Sequence, residues 1–112
     1  MFPVIPSIDP RLVNLAPGFR ALSISVRGAE MIHPEVGAAA LAHACQTFTT
    51  SAPWAEAHLQ AWAEVFRRFG AKPQRTPCSA DALRKRVLRD GTMANIYPVV
   101  DLYNAVSIRY AI

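Results

Sequence analysis

Several of the residues that announce a chemistry are scarce in this chain. Of 112 residues only two are cysteines, Cys45 and Cys78, too few for a disulfide framework. His33, His43 and His58 are the only histidines, and no third and fourth ligand stands at metal-site spacing from His43, Cys45 or Cys78, so neither metal nor cofactor is expected. There is no G-x-G-x-x-G, no P-loop and no C-x-x-C. Charged residues make up only 18% of the chain against 52% apolar, which excludes a disordered polymer. No apolar run approaches the roughly 18 residues of a membrane span. The Ala-rich stretch from Val36 to Cys45 is broken by His43, and the last apolar stretch carries Asp101 and Asn104. The first residues lack a basic segment and an apolar core, and Pro3, Pro6 and Pro10 interrupt them, so no export signal is expected and the expected location is cytoplasmic.

What is present is positive charge in one place. The net charge of +4 is the sum of an N-terminal half near neutrality and a strongly basic second half. Between residues 67 and 89 stand Arg67, Arg68, Lys72, Arg75, Arg84, Lys85, Arg86 and Arg89, opposed by the single acid Asp81. Such a local excess suits a polyanion such as RNA, and it equally suits a solvated helix face beside a basic loop.

The length allows one domain. Residues 1–18, with four prolines, are expected to form an extended arm that Pro17-Gly18 ends in a turn. Leu22, Ile24 and Val26 alternate with Ser23, Ser25 and Arg27, which predicts a half-buried strand ending at Gly28. Pro34 and Glu35 open a helix expected to run to about Thr47. Ser51 is the expected N-cap of a second helix, whose stripe of Ala55, Leu59, Trp62, Phe66 and Phe69 should be core and which Gly70 stops. After a loop over residues 71–78, Ser79 is expected to cap a helix that buries Leu83, Val87 and Leu88 and turns Arg84, Lys85 and Arg86 outward, with Gly91 as its stop. Pro98 opens a last helix with Val99, Tyr103, Val106 and Tyr110 at helical spacing. The expected class is therefore α+β, with one strand that needs partners. A chain so built should expose apolar surface or bury it by self-association.

Single residues suggest little chemistry. Cys78 could serve as a nucleophile only with a base beside it, and none is identifiable. Trp54 and Trp62 are of the type that stacks on bases, yet at helical spacing they are better read as packing residues.

A longer pattern is more specific. Phe66-Arg67-Arg68-Phe69-Gly70, Pro73, Pro77-Cys78-Ser79-Ala80-Asp81-Ala82-Leu83, Arg86-Val87, Asn95-Ile96 and the run from Val100 to Ser107 resemble, in order and spacing, the B3/B4 domain family. That domain occurs in the beta subunit of bacterial phenylalanyl-tRNA synthetase and as a free-standing protein, and the chain looks closer to the free-standing form. The resemblance covers residues 66–112 well and residues 19–30 loosely. It implies an α+β domain of which residues 19–112 would be the N-terminal half, before a strand-rich second half. It also implies a tRNA-linked quality-control function: binding tRNA or an aminoacyl-tRNA end, with hydrolysis of a mischarged ester by a positioned water. Asn95, Asp101 and Asn104 match the family's motif positions, but the family's histidine-bearing segment has no counterpart here, so no catalytic residue is carried over. Asp101 and Asn104 read equally well as a hydrogen-bonding pair that fixes the turn. The alternatives are a non-catalytic module that binds nucleic acid or protein through Arg67, Arg68, Lys72, Arg75, Arg84, Lys85, Arg86 and Arg89, and a small-molecule pocket without editing chemistry.

Overall fold

The computed structural model describes residues 4–112 and is helical. Its elements are α1 (Leu12–Leu15), a 3-10 turn (Ala29–Met31), α2 (Pro34–Ser51), α3 (Ala55–Arg68), α4 (Ser79–Asp90) and α5 (Pro98–Tyr110). There is no strand among the described residues, which overturns the α+β expectation. Residues 20–27 find no neighbouring chain segment with which to exchange backbone hydrogen bonds, and without one an alternating pattern cannot become a sheet. Leu22, Ile24 and Val26 accordingly stand 86%, 73% and 71% exposed. Residues 1–3 of the expected arm lie outside the described residues; the rest of it carries the single helical turn of α1.

The helix limits follow from local chemistry. His33 is extended, as the residue before a proline should be, and Pro34 supplies the first helical position of α2. The helix runs past Thr47 to Ser51, and in its last turns the hydroxyls of Thr47 and Thr50 fold back onto the carbonyls of His43 and Thr47. It stops at Ala52, held non-helical before Pro53. Ser51 thus closes α2 instead of capping α3, and Cys78, not Ser79, is the N-cap of α4. At the end of α3, Gly70 adopts φ 86°, its N–H donating to the Arg67 carbonyl while the Ala71 N–H reaches the Phe66 carbonyl. This is the paired closure that a left-handed residue after a helix permits.

The core is built on α2 against α5. Gly37 near the start of α2 lies over Pro98 at the start of α5, and Ser51 at the end of α2 meets Arg109 near the end of α5, so the two helices run parallel. A Cβ on Gly37 would stand 2.6 Å from the Pro98 carbonyl oxygen, which makes this a backbone-to-backbone approach. Leu41 and Ala44 of α2, Ala105 and Ile108 of α5 and Val87 of α4 form the main cluster, and Leu41, Ile108 and Val87 are its only large, fully buried side chains. A smaller cluster joins Ala52, Ala55 and Ala111, with Leu59 against it. The helical stripe expected on α5 is its outer face: Tyr103, Val106 and Tyr110 are exposed, and Asp101, Ala105 and Ile108 are buried. Ala105 allows the close approach that a tyrosine at the interface would prevent.

The stripe of α3 is buried only at its start. Ala55 is buried, Trp62 and Phe66 are half-buried and Phe69 is half exposed. Trp62 packs edge-on against Phe19, just past the arm, and against Phe66, with centroids 5.9 and 6.3 Å away. Leu88, expected inside, turns outward because Val87 takes the core position one residue earlier. The molecule is accordingly a slab, 42 × 40 × 23 Å, with a radius of gyration of 15.6 Å. A compact chain of this length would have roughly 13 Å.

With so few large buried side chains, each matters. Ile108→Ala should lower unfolding free energy by about 2–5 kcal/mol through the cavity it leaves. Gly37→Ala should cost about 1–3 kcal/mol by forcing α2 away from Pro98. Denaturant titration followed by circular dichroism measures both.

Candidate functional site

The eight basic residues do not form one surface. Arg84 turns inward. Its Nη1 donates to the Ile108 carbonyl at 2.6 Å, its Nη2 donates to the Phe48 carbonyl at 3.1 Å, and its guanidinium carbon lies 5.1 Å from the centre of the Phe48 ring. Both carbonyls belong to the last turns of their helices, where no intrahelical N–H remains to satisfy them. Because α2 and α5 run parallel, their negative ends lie side by side, and one cation bridges them. Burial pulls the Arg84 guanidinium below the usual arginine value while the Asp81 carboxylate pulls it back up. It remains charged at physiological pH. This takes Arg84 out of the exposed set to which the sequence assigned it.

Neighbouring donors complete the end of α5. Ser51 Oγ donates to the Arg109 carbonyl at 2.6 Å and Trp54 Nε1 to the Tyr110 carbonyl at 2.9 Å. Ala111 then turns left-handed at φ 56° and is fully buried. Trp54 therefore acts through its indole N–H, a role its sequence spacing did not indicate.

The remaining cations divide three ways. Arg67 and Lys85 line a cleft of about 450 Å³ between α3 and α4, together with Gln60, Gln74, Glu56 and Asp81. Each carries a carboxylate partner: Glu64, which lines the opposite side of α3, lies 3.1 Å from Arg67, and Asp81, in the cleft, lies 2.9 Å from Lys85. Lys72 and Arg75 flank Pro73 and Gln74 in the loop that borders this cleft, and both are exposed. Their turn is closed by the N–H groups of Arg75 and Thr76 donating to the Lys72 carbonyl. Arg68 faces the other way, toward the arm, where its Nη1 donates to the Leu15 carbonyl at 3.3 Å. Arg86 and Arg89 lie on the outer face of α4. Arg89 grips Asp90 through two hydrogen bonds of 2.8 and 2.9 Å, which holds the Asp90 carboxyl below the usual carboxylate range. Of these eight, Arg68, Lys72, Arg75 and Arg86 are exposed with no carboxylate in ion-pair range among the described residues.

The three motif positions separate as well. Asp101 is buried, and its Oδ1 accepts the Ile96 N–H at 2.8 Å, closing the turn that leads into α5. Its hydrogen bond is with this backbone group and not with Asn104, which is half-buried. Asn95 is exposed and lines, with Asp101, Glu35 and Tyr97, a shallow hollow of about 300 Å³ at the start of α2 and α5.

Among the described residues no nucleophile and base come together. The His58 Nε2 accepts the Trp62 indole N–H at 3.2 Å, and His33 lies 3.2 Å from Glu35 on the surface. Burial pushes the Cys45 thiol above the usual cysteine value, which disfavours its reactive thiolate. No group of three or more His, Cys, Asp and Glu side chains converges among the described residues. No described helix is long and apolar enough to cross a membrane. Comparison with protein-family models, with curated proteins and with solved structures finds no match.

Removing the guanidinium tests its structural assignment. Arg84→Ala should lower stability by about 1.5–3 kcal/mol, because two carbonyls are left without a charged donor. Arg84→Lys should recover only part of this, since an ammonium cannot reproduce a planar fork spanning two acceptors. Equal stability of Arg84→Ala and the parent protein in thermal melts would contradict the assignment.

Proposed function

We propose that the chain is a B3/B4-like element of tRNA quality control and that it binds tRNA through the loop after α3 and the adjoining faces of α3 and α4. The observation that carries this reading is a pair of exposed cations without carboxylate partners, Lys72 and Arg75, in the loop beside a cleft lined by Arg67 and Lys85. A phosphate entering there would meet uncompensated charge at the loop, and could compete with Asp81 for Lys85, a partly exposed ion pair that contributes little on its own. Gln60 and Gln74 add neutral donors and acceptors in the cleft, suited to sugar and base edges. A tRNA partner goes with a cytoplasmic location.

The role proposed is binding, without hydrolysis by the residues described. Asp101 is committed to the Ile96 N–H, His58 Nε2 to the Trp62 indole N–H, and His33 lies beside Glu35. This favours the non-catalytic form of the tRNA-linked reading over ester cleavage.

Lys72→Ala combined with Arg75→Ala tests the proposal without touching the core. Affinity for uncharged tRNA should fall at moderate salt. The plot of log affinity against log salt should flatten by roughly 0.7–0.9 for each phosphate that is no longer neutralised. Superimposable salt titrations for the variant and the parent protein would contradict a role for this surface.

A further inference from the structure

A second hollow, of about 600 Å³, lies on the opposite side of α3, between that helix and the arm. Its volume falls within the roughly 300–1,000 Å³ of small-ligand sites. Trp62, Val65 and Ala61 of α3 provide an apolar surface, and Phe19, just past the arm, forms a wall. The Phe19 ring stands at 72° to the indole and the His58 ring at 88°, so three rings meet as a corner. A corner of this kind offers a flat guest one ring to stack on and others to meet edge-on.

The charges around the hollow are unequal. Arg20 and Arg68 both line it and both are exposed. Among the described residues Glu64 is the only carboxylate lining it, and Arg67 already holds that group at 3.1 Å. Arg68 spends one N–H on the Leu15 carbonyl, which pins the arm to α3, and keeps its other donors. His58 accepts the indole N–H at Nε2, so in the neutral ring the proton sits on Nδ1, a further donor. An apolar aromatic corner beside two cations fits one ligand chemistry.

We infer that this hollow binds a flat aromatic ring bearing an anionic group, the ring against Trp62 and Phe19 and the anion on Arg20 and Arg68. The site is separate from the α3–α4 cleft and does not depend on tRNA binding there. The anion has two possible sources, the carboxylate of a free aromatic acid or the phosphate of a nucleotide. Guanidinium groups serve both through paired N–H donors.

The test is an NMR titration of the full chain, following the Trp62 indole N–H, which Trp54→Phe distinguishes from the second indole. The probes are naphthoate, adenosine monophosphate and the neutral naphthylmethanol. Naphthoate should shift the Trp62 resonance saturably, with a dissociation constant at or below about 1 mM for a ligand of its size. Naphthylmethanol should bind roughly tenfold more weakly for want of the charged hydrogen bonds. Arg20→Gln, which leaves the Arg68–Leu15 bond in place, should weaken naphthoate several-fold and leave naphthylmethanol unchanged; the unchanged alcohol shows that the hollow is still formed. Tighter binding of adenosine monophosphate than of naphthoate supports the site with a nucleotide phosphate as the anion; the reverse order supports it with a free aromatic acid. No saturable shift at Trp62 with any probe, or equal affinity for naphthoate and its alcohol, would overturn the inference.

Discussion

The fold depends on how two parallel helices are allowed to end together. Parallel packing of α2 and α5 aligns their dipoles and brings two sets of unpaired carbonyls into one place, an arrangement that opposes itself electrostatically. Arg84 offsets the cost from a third helix, donating to one carbonyl of each and lying against Phe48. Ser51 and Trp54 satisfy the next two carbonyls of α5. At the other end of the pair, Gly37 permits contact with Pro98, and Asp101 fastens the entry into α5 through the Ile96 N–H. The small buried residues between these ends, Ala44 and Ala105 among them, contribute close approach more than apolar area.

This arrangement determines what remains on the surface. Because Arg84 holds α4 against the helix ends, Lys85 points into the cleft facing α3, and Arg86 and Arg89 face solvent. The loop bearing Lys72 and Arg75 has to join α3 to α4 along that cleft. On the far side of α3, Arg68 and Phe19 tie the arm to the helix and shape the aromatic hollow. Structural and exposed arginines therefore alternate along one short stretch of sequence, and their positions on the helix separate the two kinds.

Much of the helical layout is legible from the sequence. Pro34, Gly70, Gly91 and Pro98 mark helix limits by constraints local to the backbone, and these hold in the structure. The α+β class fails because alternation in Leu22, Ile24 and Val26 reports a preference that only a neighbouring strand can realise. The buried side of α5 escapes a sequence reading for a related reason. Periodicity marks both Tyr103, Val106 and Tyr110 and the stripe of Asp101, Ala105 and Ile108, and hydrophobic size favours the wrong one. Proximity to Gly37 decides it, and that is a tertiary fact. Arg84 is expected outside because arginine on a basic helix is ordinarily solvated. The parallel helix ends that recruit it are invisible until α2 and α5 are seen to run together. For the basic interface, the sequence shows the charge density but not which side chains already have carboxylate partners.

Hydrogen exchange tests the shared helix end most directly. The amides in the last turns of α2 and α5 should lose protection together in Arg84→Met, with the first turns of both helices, near Gly37 and Asp101, much less affected. Loss of protection confined to α4, or unchanged protection in both last turns, would contradict the claim that one guanidinium holds the two helix ends together.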